Sequence, residues 1–245
     1  MKKIFIFLLF MCGVGISVFS QNYQAIYNNG NGDSLGGVLA FNSNVWRYDI
    51  TTNVEFSIFV DDTDLWEPQG ETLTGRSISS FNFRSIEDNH YLDEEYVLYS
   101  GKCVLTGYLQ RPIWEIISDS IKTIENYQCL MAKGYVCGRD YTVWFSPDIP
   151  VSAGPWKLWG LPGLIMSAQS DDKEIKFHIT SFKKIDNEPV KPMVKTTISP
   201  DEYKTLYNNA IKKMNREIRA LSDDRGAQVS VTNITLNHPD KSLFE

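Results

Sequence analysis

Apolar positions along the first part of the chain fall in short runs, the pattern of strands rather than helices. Between residues 23 and 60, YQAIY, GGVLAF, VWRYDI and VEFSIFV are separated by Asn, Gly, Asp and Thr, which predicts antiparallel strands with short connections. The stretch NNGNGD at 28–33 reads as a turn, because it lacks the lysine and the strand-to-helix setting of a phosphate cradle. Residues 61–94 are polar, with Asp61, Asp62, Glu67, Glu71, Glu87 and Asp88 among turn formers. They predict a solvated loop, since the DxDxDG spacing of a calcium loop is missing. Further strands are predicted at 96–109, 113–117, 121–132 and 141–145. Turns are expected at Ser118-Asp119-Ser120 and at Gly138-Arg139, with glycine at the first central position of a type II′ hairpin. A competing turn centred on Lys133 would set Cys129 opposite Cys137. Segments 164–169 and 175–185 flank Ser170-Asp171-Asp172-Lys173 as a hairpin, with Phe177, Ile179 and Ser181 on one face and Lys176, His178 and Thr180 on the other.

One helix is written at 199–221. Ser199 is its N-cap, Pro200 its first helical residue, and Glu202 completes a capping box. Tyr203, Tyr207, Ala210, Ile211, Met214, Ile218 and Leu221 form an apolar stripe suited to docking on a sheet. A last strand is predicted at 228–236. The fold class that follows is α+β, mostly β: one large antiparallel sheet, strongly curved or half-closed, with this C-terminal amphipathic helix packed on it.

The stretch 144–166, WFSPDIPVSAGPWKLWGLPGLIM, differs from the rest. It holds four of the ten prolines, three of the sixteen glycines and three of the six tryptophans, so its backbone is constrained while it carries a large apolar area. Leu161-Pro162-Gly163-Leu164 predicts a type II turn, with positive φ at Gly163. Trp144, Trp156, Trp159, Leu161 and Pro162 are the candidate ligand-binding residues, because aromatic density beside a rigid turn suits an apolar pocket. The same residues could equally serve to plug the sheet.

Gly160-Leu161-Pro162-Gly163-Leu164-Ile165 spells GLPGLI, preceded by Trp144-Phe145-Ser146-Pro147-Asp148-Ile149-Pro150 and by Gly154-Pro155. With Tyr127-Gln128-Cys129 and Gly138-Arg139-Asp140-Tyr141 upstream, the sequence resembles the GLPGLI family of exported Gram-negative bacterial proteins. The resemblance is strong over 114–166 and implies no defined reaction. The order of a Trp-Phe-x-Pro strand end, a Pro/Gly crossover and a long hairpin is similar to that of periplasmic lipoprotein carriers of the LolA type, a likeness of architecture only.

The N-terminus, MKKIFIFLLFMCGVGISVFSQ, has two lysines, an apolar run and short residues before Gln21. It predicts a secretory signal peptide over 1–20, leaving a single domain at 21–245. Its apolar run is shorter than the ~20 residues that span a bilayer, and no second such run follows. Periplasm or outer envelope is the expected location. The formal net charge is −6 with no basic cluster, which argues against nucleic acid as partner. An apolar small molecule, a peptide or an envelope protein is expected instead.

No catalytic residue, metal ligand set or cofactor motif is assigned. There is no GxSxG, CxxC or HExxH, and His90, His178 and His238 stand in polar surroundings. Cys103, Cys129 and Cys137 remain after signal removal; two of them could form a disulfide, or one could join a histidine in a hydrolase.

Overall fold

The computed structural model describes residues 21–28, 36–53, 77–225, 240 and 242. The signal segment, the strand expected at 54–60, residues 61–76, the tail strand at 228–236 and most of the turn at 28–33 lie outside these residues. Eleven strands form one antiparallel sheet: β1 (Asn22–Asn28), β2 (Gly37–Phe41), β3 (Val45–Asn53), β4 (Ser77–Ser85), β5 (His90–Val97), β6 (Gly101–Tyr108), β7 (Trp114–Ile124), β8 (Tyr127–Val136), β9 (Arg139–Ser146), β10 (Leu164–Ser170) and β11 (Lys176–Ile185). Their order across the sheet is β6-β5-β4-β3-β2-β1-β11-β10-β9-β8-β7, so the chain's two meanders join where β1 pairs with β11. One helix, α1 (Pro200–Arg225), completes the fold.

Strand alternation puts one apolar face inward. Cross-strand pairs place Ala132, Val143, Ala168 and Phe177 on that face, and Ala25, Leu39 and Tyr48 beyond them. All are fully or almost fully buried. The inner face changes character at β4, where Trp46 lies opposite Arg84 and Tyr48 opposite Asn82. Asp93 and Glu95 continue this polar stretch on β5. The outer face of the same strands is apolar instead: Phe81, Phe83, Leu92 and Val104 form a second core that packs against Val194. The chain after β11 therefore crosses the outer side, and Ile198 bridges to Leu105 in parallel, with Thr106 N–H donating to Ile198 O and Ile198 N–H to Val104 O. This caps the β6 edge.

α1 then returns to the inner side, where Tyr203 and Ala210 pack against Val97 and Leu105. The expected capping box forms: Ser199 Oγ accepts from Glu202 N–H at 3.2 Å, and the Glu202 carboxylate accepts from Ser199 N–H at 2.7 Å. The hairpin at Ser170–Lys173 and the two faces of β11 also follow the sequence pattern. Phe177 and Ile179 are buried, and His178 is exposed.

Several expected elements are corrected. Ser118-Asp119-Ser120 is no turn but a bulge inside β7, which continues to Ile124. The strand expected at 121–132 is cut by a two-residue turn at Glu125-Asn126, with φ 46° and 67°. Positive φ at both central positions defines type I′, whose twist suits a hairpin. The β8–β9 turn is likewise Cys137-Gly138, with φ 52° and 75°, one residue earlier than the expected Gly138-Arg139. Cys129 pairs with Lys122 rather than facing Cys137. The strand expected at 96–109 is two strands turning at Leu98-Tyr99-Ser100, where Tyr99 has φ 67°. The loop expected at 61–94 contains β4 and much of β5. Of the acidic residues that suggested it, Glu87 and Asp88 are exposed in the turn between these strands and Asp61, Asp62, Glu67 and Glu71 lie outside the described residues, while Arg84 and Asp93 form a buried pair.

The turn at Leu161–Leu164 is corrected too. Gly160, not Gly163, has positive φ, at +99°. Gly163 is required by close approach, since a Cβ there would lie 2.2 Å from Ser146 O. Gly163→Ala should therefore lower unfolding free energy by about 3 kcal/mol, whereas Pro162→Ala at an exposed position should change it by less than about 1 kcal/mol. Denaturant unfolding of the two variants measures the difference.

Candidate functional site

Residues 147–163 leave β9, cross the inner face and return as β10. Regular structure cannot satisfy their backbone, so specific groups do. Ile149 O accepts from Leu164 N–H, Ala153 O from Ile165 N–H and Ser152 O from Gly160 N–H. Trp114 Nε1 donates to Trp159 O at 2.7 Å, and Arg111 donates from Nε and Nη2 to Gly160 O at 3.0 and 2.7 Å. The Tyr27 hydroxyl donates to Ile165 O at 2.7 Å from the inner face. Trp159 stacks obliquely on Trp46, with ring centroids 5.5 Å apart. Burial of the Tyr27 and Tyr48 phenols holds their pKa far above the usual tyrosine range.

Where this crossover meets the polar stretch of β4 and β5, the inner face holds a buried ion network. Arg84 contacts both carboxylate oxygens of Asp93, at 2.5 and 3.1 Å. Lys157 Nζ sits 2.7 Å from Asp240, 3.0 Å from Glu95 and 3.7 Å from Asp93. Lys157, Arg84, Asp93 and Asp240 are all almost fully buried. Burial alone would depress the Lys157 pKa, but Asp240, Glu95 and Asp93 outweigh it and hold it well above the ordinary lysine value. Sequence reading passed over this network because its members are spread from 84 to 240 and only the register brings them together. The signal that could have found it is a lysine inside an otherwise apolar Trp-Lys-Leu-Trp run.

The five candidate ligand residues do not share one pocket. Trp156 and Leu161 are 2% and 1% exposed and belong to the core, while Pro162 faces solvent. Trp144 lies on the sheet face of Met131 and Ser167, opposite Val143, with Lys122 Nζ 5.6 Å from its ring centroid. Trp159 alone lines a cavity, of about 280 Å³, with Ile86, Asn89, Leu109, Arg111 and Ser152. Of the motif residues, Gly154, Pro155, Gly160, Gly163, Leu164 and Ile165 are buried and Pro150 is exposed. A Cβ on Gly154 would meet Leu158 O at 2.7 Å, so this glycine too answers to packing.

The three cysteines are free thiols. Burial raises the pKa of Cys103 and of Cys129 to about 11, and raises that of Cys137 well above the ordinary thiol value. A protonated thiol is a poor nucleophile, and among the described residues no histidine is one of the groups that perturb any of the three. His90 is kept below its usual pKa by burial and by Lys191, and its Nδ1 has no hydrogen-bond partner. Among the described residues no cluster of His, Cys, Asp and Glu could hold a metal ion, and no helix is long and apolar enough to cross a membrane.

The chain matches the model of a family described as a protein of unknown function, Porph_ging, over residues 138–167. No curated protein matches it. Its fold is similar to two solved structures of PNGF-II. One, in space group P21, is 16% identical with a TM-score of 0.52, covering 78% of this chain and 34% of that one. The other, in C2, is 17% identical with a TM-score of 0.50, covering 78% and 33%. The chain thus spans about a third of the structures it matches, and the likeness is one of fold.

Two outcomes test the site. Lys157→Met removes the cation that Asp93, Glu95 and Asp240 share, and should cost about 3–5 kcal/mol at neutral pH. Because the Lys157 pKa is raised by folding, its contribution is complete below the unfolded value of 10.5 and is lost as pH rises through the folded one. The gap between variant and wild type should therefore persist through mildly alkaline pH and narrow in strong alkali, as read by denaturant unfolding across pH. For the thiols, iodoacetamide at pH 7.5 should label native Cys103, Cys129 and Cys137 at least about tenfold more slowly than the unfolded chain, measured by mass spectrometry.

Proposed function

We propose that the chain is an exported cell-envelope protein of the GLPGLI kind that binds a small ligand, with an apolar body and a polar or anionic head, in the cavity beside Trp159. The observation that carries this reading is the chemistry of the cavity wall. Ile86, Leu109 and Trp159 supply apolar surface, while Asn89, Arg111 and Ser152 supply polar groups beside it. The Ser152 hydroxyl is buried without a partner, a state that costs free energy unless something occupies it. Arg111 is anchored through Nε and Nη2 to Gly160 O, which leaves Nη1 to meet an acceptor. A few placed polar groups on an apolar wall are the usual make-up of a small-molecule site.

Export is supported by the lysine-flanked apolar N-terminus. The carrier role supported by aromatic density in 144–166 narrows to Trp159, since Trp156, Leu161 and Trp144 serve packing elsewhere. A hydrolytic role through a cysteine and a histidine has less support, given three raised thiol pKa values.

The chain purified from an envelope fraction should carry a bound mass in native mass spectrometry that disappears on denaturation. Leu109→Trp, which fills the cavity from a half-buried position, should abolish the adduct and keep the melting temperature within about 3 °C. A bare wild-type chain, or an adduct that survives Leu109→Trp, would defeat the reading. Recovery of the chain with residues 1–20 still attached in the cytosolic fraction would defeat the export half of it.

A further inference from the structure

The two ends of the sheet are treated differently. The β6 edge is covered by Ile198, whereas among the described residues nothing pairs with the outer edge of β7. That edge is eleven residues long and carries Ile116 and Ile121, 44% and 63% exposed, with Ile113 just before it at 89%. A long, apolar, unpaired edge is a template for another strand.

The bulge in β7 gives this edge a special order. Ile117 pairs with Met131 and Ile121 with Leu130, so Ser118, Asp119 and Ser120 face no residue of β8. Residues five apart on a regular strand point to opposite faces. The bulge instead sets Ile116 beside Ala132 and Ile121 beside Leu130, both on the inner face. Glu115 and Lys122, opposite Lys133 and Cys129, then share the outer face. Read outward from the bond between Ser118 and Asp119, the third and fourth residues are isoleucine and glutamate in one direction, isoleucine and lysine in the other.

We propose that β7 is the interface with a second copy of this chain, the two β7 strands pairing antiparallel about a two-fold axis between Ser118 and Asp119. In this register Ile116 faces Ile121 of the other copy and Glu115 faces its Lys122, and each pair occurs twice. Opposite charges and apolar pairs directly across a ladder are favourable, and a two-fold interface must be self-complementary in this way. Sliding the register by two residues breaks both matches: Ile116 would face either Thr123 or Asp119. Placing Asp119 on the axis would oppose two carboxylates and set Ile117 of the outer face against Ile121 of the inner one. The proposal does not depend on the Trp159 cavity, which lies at residues outside β7.

Sedimentation equilibrium on the full chain tests it. Wild type should dimerise, and Ile116→Lys should abolish dimerisation while its circular-dichroism spectrum stays that of the wild type, its melting temperature falling to the concentration-independent value of a monomer. Glu115→Lys and Lys122→Glu should each weaken the dimer about tenfold by placing like charges opposite one another. The double variant Glu115→Lys with Lys122→Glu should return to within about threefold of wild type. A wild-type chain that stays monomeric at about 100 µM, or a double variant no tighter than the singles, would overturn the proposal. So would a monomer whose β7 amides become protected from exchange only when an unrelated strand-forming peptide is added.

Discussion

A single curved sheet of eleven strands has one face too large and too apolar to leave in water, and covering that face is the constraint from which the rest of the structure follows. The chain does so with residues 147–163, a crossover that has no regular hydrogen-bonding scheme of its own. Its backbone groups therefore take partners case by case: Arg111 and Trp114, before and within β7, donate to Gly160 O and Trp159 O, the first residues of β10 donate to Ile149 O and Ala153 O, and Gly160 N–H donates to Ser152 O within the crossover itself. Prolines and glycines are concentrated there because the path is fixed by contact on both sides. Gly163 passes so close to Ser146 O that no Cβ fits, and Gly160 takes a φ open to few other residues.

The same constraint accounts for the ion network. At β4 and β5 the apolar residues turn outward toward Val194, so the inner face there presents Arg84, Asn82, Asp93 and Glu95 to the crossover. A hydrophobic residue at 157 would take a cation away from both Asp93 and Glu95. Lys157 provides the second cation, and its long stem lets the charge reach Glu95, Asp93 and Asp240 while the neighbouring Trp156, Leu158 and Trp159 stay in the core. Buried charge of this kind contributes little net stability but penalises any other arrangement of the crossover, since a displaced Lys157 would abandon three acids at once.

Local pattern was legible wherever one residue type has one geometric use. Alternation of Phe177, Ile179 and Ser181, the Ser199–Glu202 cap, and the apolar stripe through Tyr203, Ala210 and Met214 all read directly. Turns built from other residues did not: Glu125-Asn126 and Cys137-Gly138 adopt positive φ because hairpin twist demands it, and only the glycine and asparagine advertise that. The bulge at Ser118–Ser120 was mistaken for a turn because both use the same small polar residues. The candidate site was legible only as far as Trp159. Its other walls come from the 86–89 turn and from 109–111, which the register alone brings beside Ser152. The ion network was hidden for the same reason, its five members being spread over four segments of the chain.

The stretch that matches the Porph_ging family, 138–167, runs from the β8–β9 turn through β9 and the crossover into β10. It therefore contains the packing unit nearly whole: Gly154, Gly160, Gly163, the buried tryptophans and Lys157. Of the cavity it contains only Ser152 and Trp159; Ile86, Asn89, Leu109 and Arg111 lie upstream. The partners of Lys157 lie outside it as well. A shared frame of this kind fixes how the crossover sits on the sheet, and with it the position of one aromatic wall and one hydroxyl. The shape and charge of the opposite wall are left to segments under separate constraint, the 86–89 turn and the approach to β7. Chains with the same crossover can thus differ in what they bind, because the residues that hold the fold and most of those that would touch a ligand are on different parts of the sequence.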